Sequence, residues 1–151
     1  MKALKTLKDL DYQDKLSKYP TVPPRAIAAG NFTDKTANGL TNCIVRWMEL
    51  HGHYATRITS MGRQLPTTKV VDVIGRMHTM PGAWIPGTTK RGTADIHAVV
   101  NGRHVSIEVK IGLDRMSEAQ HQTKKEIESS GGCFFVAKSF AGFVDFYKAL
   151  I

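Results

Sequence analysis

Cysteine is scarce in this chain of 151 residues: only Cys43 and Cys133 occur, far apart and without a CxxC or Cys/His ligand spacing. That argues against a disulfide framework and against a zinc site. Long apolar runs are also missing. No stretch approaches the roughly 18 residues of a membrane span, and the start, MKALKTLKDLDYQDKLSKYP, has no apolar core of signal-peptide length. The expectation is a cytoplasmic protein with no membrane partner. The third shortage is of acid: 13 Asp and Glu stand against 21 Lys and Arg, for a formal net charge of +8. Such a balance favours a polyanionic partner, nucleic acid before an anionic membrane surface, and no basic amphipathic helix supports the membrane alternative.

What is present suits one globular domain able to bury a real core. Residues 1–36 are rich in Lys, Asp, Thr and Pro, with Pro20, Pro23 and Pro24 ending any helix begun by Leu4, Leu7 and Leu10; they read as a basic, partly ordered arm with at most one short helix. Residues 37–151 then form the domain. Asn38 to His51 has helical periodicity in Leu40, Ile44, Trp47 and Leu50, with Thr36 or Asn38 as cap and Gly52 as stop. A strand follows from His53 to Thr59. Lys69 to Ile74 has strand character, and Met77 to Arg91 reads as loop around Trp84, with Pro81, Gly82, Pro86 and Gly87.

The most informative stretch is Gly92 to Ile111, GTADIHAVVNGRHVSIEVKI. Asn101-Gly102 is a strong hairpin signal, because both central residues of a type I′ turn need positive φ. With that turn, Val100 pairs with Arg103 and Asp95 lies opposite Glu108. Alternation assigns Ala94, Ile96, Ala98, Val100, Val105, Ile107 and Val109 to a core face, and Asp95, His97, His104, Ser106, Glu108 and Lys110 to the other. Ser117 opens a helix to about Ser130, with SEAQ (Ser117 to Gln120) as a capping box. Cys133 to Ala137 reads as a buried strand, and Gly142 to Leu150 as a final amphipathic helix with Phe143, Phe146, Tyr147 and Leu150 inward. The predicted class is α/β, in the order α-β-β-β-β-α-β-α.

Opposed like charges are unfavourable across a sheet, so Asp95 beside Glu108 calls for a cation. Mg²⁺ or Mn²⁺ takes hard oxygen ligands and keeps several waters; two carboxylates with the backbone carbonyl of Val109 suffice. A metal there polarises a phosphoryl oxygen and acidifies bound water. Lys110, on the face of Glu108, would orient or deprotonate that water or neutralise developing charge. Arg57, Lys90, Arg91, Arg115 and Lys124 are the expected phosphate contacts on DNA. His97 and His104 read either as exposed strand histidines without function or as DNA contacts or a proton relay, and Trp84 either as a base-stacking side chain or as an anchor for its own loop.

These residues also resemble a known family. GTAD (Gly92 to Asp95), IEVK (Ile107 to Lys110) and SEAQ (Ser117 to Gln120) are similar to the three motif blocks of the VRR-NUC branch of the PD-(D/E)xK nucleases, with the resemblance running from about Asn38 to Tyr147. It implies a restriction-endonuclease-like core with a central mixed β-sheet flanked by helices. The implied activity is Mg²⁺- or Mn²⁺-dependent cleavage of DNA, with Asp95 and Glu108 as metal ligands, Lys110 as the catalytic lysine and Gln120 as an active-site residue from the helix. Stand-alone members occur in phage and bacteria and are associated with junction cleavage as dimers, which implies branched, junction or flap DNA as the expected substrate and a homodimer as the expected assembly. Two positions depart from the pattern: Ala94 stands where many members have Pro, and Asn38 where many carry an acid near the start of the leading helix. An amide can bond a metal-bound water but adds no charge, which weakens a second metal site. The alternative function is therefore a nuclease-fold protein with reduced catalysis that serves as a nucleic-acid-binding module.

Overall fold

The hairpin fixes the centre of the fold. In the computed structural model, which describes residues 2–59, 62–85, 87 and 89–151, strands Ile96–Val100 and Arg103–Val109 pair antiparallel with Val100 opposite Arg103 and Ile96 opposite Ile107. The turn residues Asn101 (φ 50°) and Gly102 (φ 77°) both adopt positive φ, as a type I′ turn requires. In chain order the elements are helix α1 (Lys2–Lys18), a short 3₁₀ turn at Pro24–Ala26, helix α2 (Ala37–Leu50) and strands β1 (Tyr54–Arg57), β2 (Arg63–Gln64), β3 (Thr68–Val71), β4 (Met77–Met80) and β5 (Trp84–Ile85). Then come β6 and β7, which are the hairpin strands, helix α3 (Glu118–Ser129), β8 (Cys133–Ala137) and helix α4 (Phe140–Leu150). The main sheet has the order β1-β6-β7-β8, antiparallel except for the parallel pair β7 and β8, so the chain is α/β with a mixed sheet flanked by helices.

Alternation decides how the layers stack. Ile96, Ala98, Val100, Val105, Ile107 and Val109 are buried on one face of the hairpin and join Leu40, Ile44, Trp47 and Met48 of α2 and Phe140, Phe143, Val144 and Tyr147 of α4 in one core. Thr36, one of the two expected caps of α2, accepts on its Oγ1 from the Gly39 amide, and α4 is capped by Ser139, which the sequence reading did not single out. Helix α4 begins at Phe140, two residues before the predicted start, because Phe140 is itself a core residue.

Two expectations change. The basic arm contains a 17-residue helix, α1, that packs on α2 and α4 with Leu7 fully buried. Its register is set by Asp11, 2% exposed, which accepts from Arg46 Nε on α2 at 2.8 Å and pairs with Lys15 Nζ at 2.8 Å. Arg46 also reaches Asp14 at 2.5 Å. Burial works to raise the Asp11 pKa, yet the hydrogen bonds and charges of Lys15 and Arg46 outweigh it and the carboxyl titrates below its usual range. The second change lies between β1 and β6. Instead of one strand and a loop, the segment forms two nested antiparallel pairs outside the main sheet, β2 with β5 and β3 with β4. Asp72 to Ile74, expected to continue the strand from Lys69, make the turn between β3 and β4. Pro86 and Thr88, part of the expected loop, lie outside the described residues.

Candidate active site

Burial divides the hairpin into an apolar side and a polar side, and the polar side carries the candidate site. Asp95 immediately precedes β6, where its backbone carbonyl accepts from the Ile58 amide at 2.8 Å. Its Oδ2 accepts from the Val109 amide at 2.9 Å, which ties the acid to the end of β7 beside Glu108. Val109, the residue whose carbonyl is the expected third ligand, therefore binds Asp95 through its N–H.

Glu108 is only 2% exposed. Its Oε1 receives Lys110 Nζ at 2.9 Å and Gln120 Nε2 at 2.5 Å. Its Oε2 is buried without a hydrogen-bond partner. Burial is the main cause that raises the Glu108 pKa; Lys110 opposes it, Asp95 adds to it, and Gln120 opposes it. A buried carboxylate with one oxygen bound and the other bare, next to a second acid, is an environment short of positive charge.

Gln120 occupies two roles at once. Its Oε1 accepts from the Ser117 backbone N–H at 2.9 Å, and its backbone N–H donates to Ser117 Oγ at 3.3 Å, completing the capping box. Its Nε2 meanwhile holds Glu108. The cap and the site both use this side chain, and the two ends of its primary amide serve them simultaneously. The cap thereby fixes the angle at which α3 delivers Gln120 to the carboxylate.

Gly92 supports the same junction. Its φ is 84°, and a Cβ there would fall 2.4 Å from the Ala119 carbonyl, so the loop entering β6 can press on the first turn of α3 only as glycine. An open cleft results, lined by Arg91, Gly92, Thr93, Ser117, Glu118 and Gln120. The sequence signal for this contact was the first letter of GTAD, whose steric reason needs the helix to be in place.

The remaining predicted residues scatter. Arg57 ends β1 opposite Ile96, and its Nη2 donates to Asn38 Oδ1 at 2.6 Å. Asn38 is thus engaged with Arg57. Lys90 pairs with Glu126 of α3, and Lys124 lies 3.8 Å from Glu128 on the same helix. Arg91 stands at the cleft and Arg115 is exposed in the loop before α3.

Two polar groups beside the carboxylates carry more than the sequence assigned them. His97 and Ser106 face each other across β6 and β7, and His97 Nε2 and Ser106 Oγ are buried without partners. The His97 ring lies 5.1 Å from that of His104, and burial first, then the neighbouring His104, lowers its pKa. No group of three or more His, Cys, Asp or Glu gathers as a metal cluster among the described residues, so the acidic donors here number two. No helix among those residues is long and apolar enough to cross a membrane. In comparisons with known proteins, no family model matches the chain and no curated protein matches it.

Proposed function

We propose that the chain is a metal-dependent deoxyribonuclease of the PD-(D/E)xK type, built on a restriction-endonuclease-like core and akin to VRR-NUC proteins. The observation that carries this reading is Glu108: buried, bound on Oε1 by Lys110 and Gln120, and without a partner on Oε2 beside Asp95. These residues fit a hard divalent cation held by Asp95, Glu108 and the Val109 carbonyl. Bound there, Mg²⁺ or Mn²⁺ would acidify a water and neutralise charge on the phosphoryl oxygens.

The chain supplies the rest. Lys110, with its ammonium at 2.9 Å from Glu108, favours the ionised carboxylate and orients the attacking water or offsets charge on the pentavalent phosphorus. Gln120 holds Glu108 in place from the first turn of α3. Arg91 and Arg115 contact the DNA backbone. Arg57, Lys90 and Lys124 do so only by giving up their present partners, Asn38, Glu126 and Glu128. The engagement of Asn38 by Arg57 favours a single metal, and it keeps a second reading in play, a DNA-binding module with weakened catalysis.

Incubation with supercoiled, linear and branched DNA in Mn²⁺ separates these readings. The enzyme cleaves, and cleavage disappears in EDTA and in Asp95→Ala. Tight binding without cleavage in Mg²⁺ or Mn²⁺ would establish the module.

A further inference from the structure

The β3–β4 ribbon is the part of the molecule that the site does not explain. Every residue from Pro66 to Pro81 is exposed except Asp72, which is half-buried. A two-stranded ribbon is marginal in water unless something covers it. This one exposes Val71 (64%) and Met77 (67%), opposite each other on one face, with Val73 (105%) and Ile74 (71%) at the tip beyond them, while Met80 (56%) stands on the other face. Apolar surface gathered in one place marks a binding surface.

The tip is nevertheless closed by a set of hydrogen bonds on Asp72. Gly75 takes φ 79° and its amide reaches the Asp72 carbonyl at 3.0 Å, the geometry of a three-residue hairpin loop with glycine in the left-handed position. Asp72 Oδ1 accepts from the amides of Ile74 at 3.0 Å and Arg76 at 2.8 Å, and its Oδ2 meets His78 Nε2 at 2.8 Å. A sequence that stiffens its turn this far holds Val73 and Ile74 outward in water.

Charge selects the partner. Between residues 62 and 91 stand Arg63, Lys69, Arg76 and Arg91, with Lys90 already paired to Glu126, against one acid, Asp72, whose carboxylate is engaged by the turn. A second copy of the chain would bring an equal net charge of +8 to the contact, whereas a polyanion neutralises it. Dimensions agree. Five residues from Thr68 to Asp72 at about 3.3 Å each reach roughly 16 Å. A DNA major groove, about 12 Å wide and about 8.5 Å deep, admits a two-stranded ribbon.

We infer that the β3–β4 ribbon is a DNA-groove arm, with Lys69 and Arg76 on the phosphates and Val73 and Ile74 wedged against a base step. Entering from the major groove, these two side chains disturb the stacking of that step, as apolar wedges do when they enter from the minor groove. The inference rests on the proposed function only in taking DNA as the polyanion.

The test uses the full chain in EDTA, where no metal-dependent cleavage intervenes, and duplexes carrying 2-aminopurine at successive positions. Wild-type protein raises the fluorescence at one step or two on binding. Val73→Ser with Ile74→Ser removes that rise and weakens binding several-fold with an unchanged melting temperature, since both side chains are exposed. Lys69→Ala with Arg76→Ala keeps the apolar tip, weakens binding by about tenfold and lowers the salt slope by about two.

The inference is overturned if the tip variant keeps both affinity and fluorescence rise, if wild type binds no duplex, or if the tip variant converts a dimer to a monomer in sedimentation without altering DNA binding. The last outcome assigns the ribbon to a second copy. Wild type that shows the fluorescence rise but never cuts in Mn²⁺ refutes the active-site reading and leaves the arm standing. Cutting and binding indifferent to the tip do the reverse.

Discussion

The two faces of the β6–β7 hairpin share one backbone and have opposite chemistry. Toward α2 and α4 every buried strand residue is apolar, the buried charge of that half, Asp11, is matched by Lys15 and Arg46, and the indole Nε1 of Trp47 is the one neutral buried donor there without a partner among the described residues. Toward α3 the buried residues include Glu108 and Ser106, and Glu108 Oε2, Ser106 Oγ and His97 Nε2 have no partner. Burying polar atoms without partners costs free energy that a well-packed apolar face would not. The first face is therefore organised for stability. The second holds unmet polar groups around one carboxylate, as expected of a surface completed by a ligand.

Adjacent residues give the sharpest contrast. Ile107→Asp places an unpaired carboxylate in the helical core, costs at least several kcal/mol and leaves no cooperative melt. Glu108, one residue on, carries its acid natively. If Ile107→Asp melts like wild type, the two faces do not differ in the way described.

Arg46→Ala strands the buried Asp11 with Lys15 alone and lowers stability by roughly 3 kcal/mol in denaturant titration. Because the Asp11 pKa is lowered in the fold, its stabilisation is present above the ordinary carboxylate range and lost as pH falls through the lowered value. The same variant consequently unfolds at a higher pH than wild type during acid titration. An unshifted acid midpoint would show that α1 is held by Leu7 and its neighbours alone.

Glu108→Gln has a small effect on melting and, on the proposed function, abolishes DNA cleavage, since the amide keeps the shape but loses the charge. The raised pKa of Glu108 fixes the sign of the pH dependence: its ionisation is disfavoured in the metal-free fold, so stability falls as pH rises from the ordinary glutamate value through the raised one, while affinity for Mn²⁺ rises over the same window. Calorimetry across that window would expose a flat profile.

Ser106→Ala is the smallest effect. Removing a buried hydroxyl without a partner leaves stability unchanged or higher by up to about 1 kcal/mol. A loss above that would reveal a hydrogen bond to Ser106.

Legibility followed the range of the interactions. The hairpin and the α3 cap are written in neighbouring residues, Asn101-Gly102 and Ser117 to Gln120, so their register and boundaries could be read directly. Helix α1 could not, because Leu7 supplies little periodicity and its anchor, Asp11 to Arg46, joins residues far apart in the chain. The turn between β3 and β4 was hidden for another reason. Val73 and Ile74 look like strand, and only the Asp72 side chain, folding back on two amides, reveals the reversal. In the site, the nearness of Asp95 to Glu108 and the contact of Lys110 with Glu108 were legible from alternation, although the β6–β7 ladder ends at Ile96 and Ile107 and Asp95 reaches β7 through its side chain on the Val109 amide. The double use of Gln120 and the pairing of Asn38 with Arg57 depended on where α2, α3 and β1 come together.

The central claim is that Asp95 and Glu108 together form a cation site, and Mn²⁺ titration calorimetry on the purified chain tests it most directly. The account predicts saturable binding of one Mn²⁺ per chain, lost in both Asp95→Ala and Glu108→Gln and retained in Lys110→Ala. Binding that survives either carboxylate substitution, or no saturable binding by wild type at neutral pH, would contradict it.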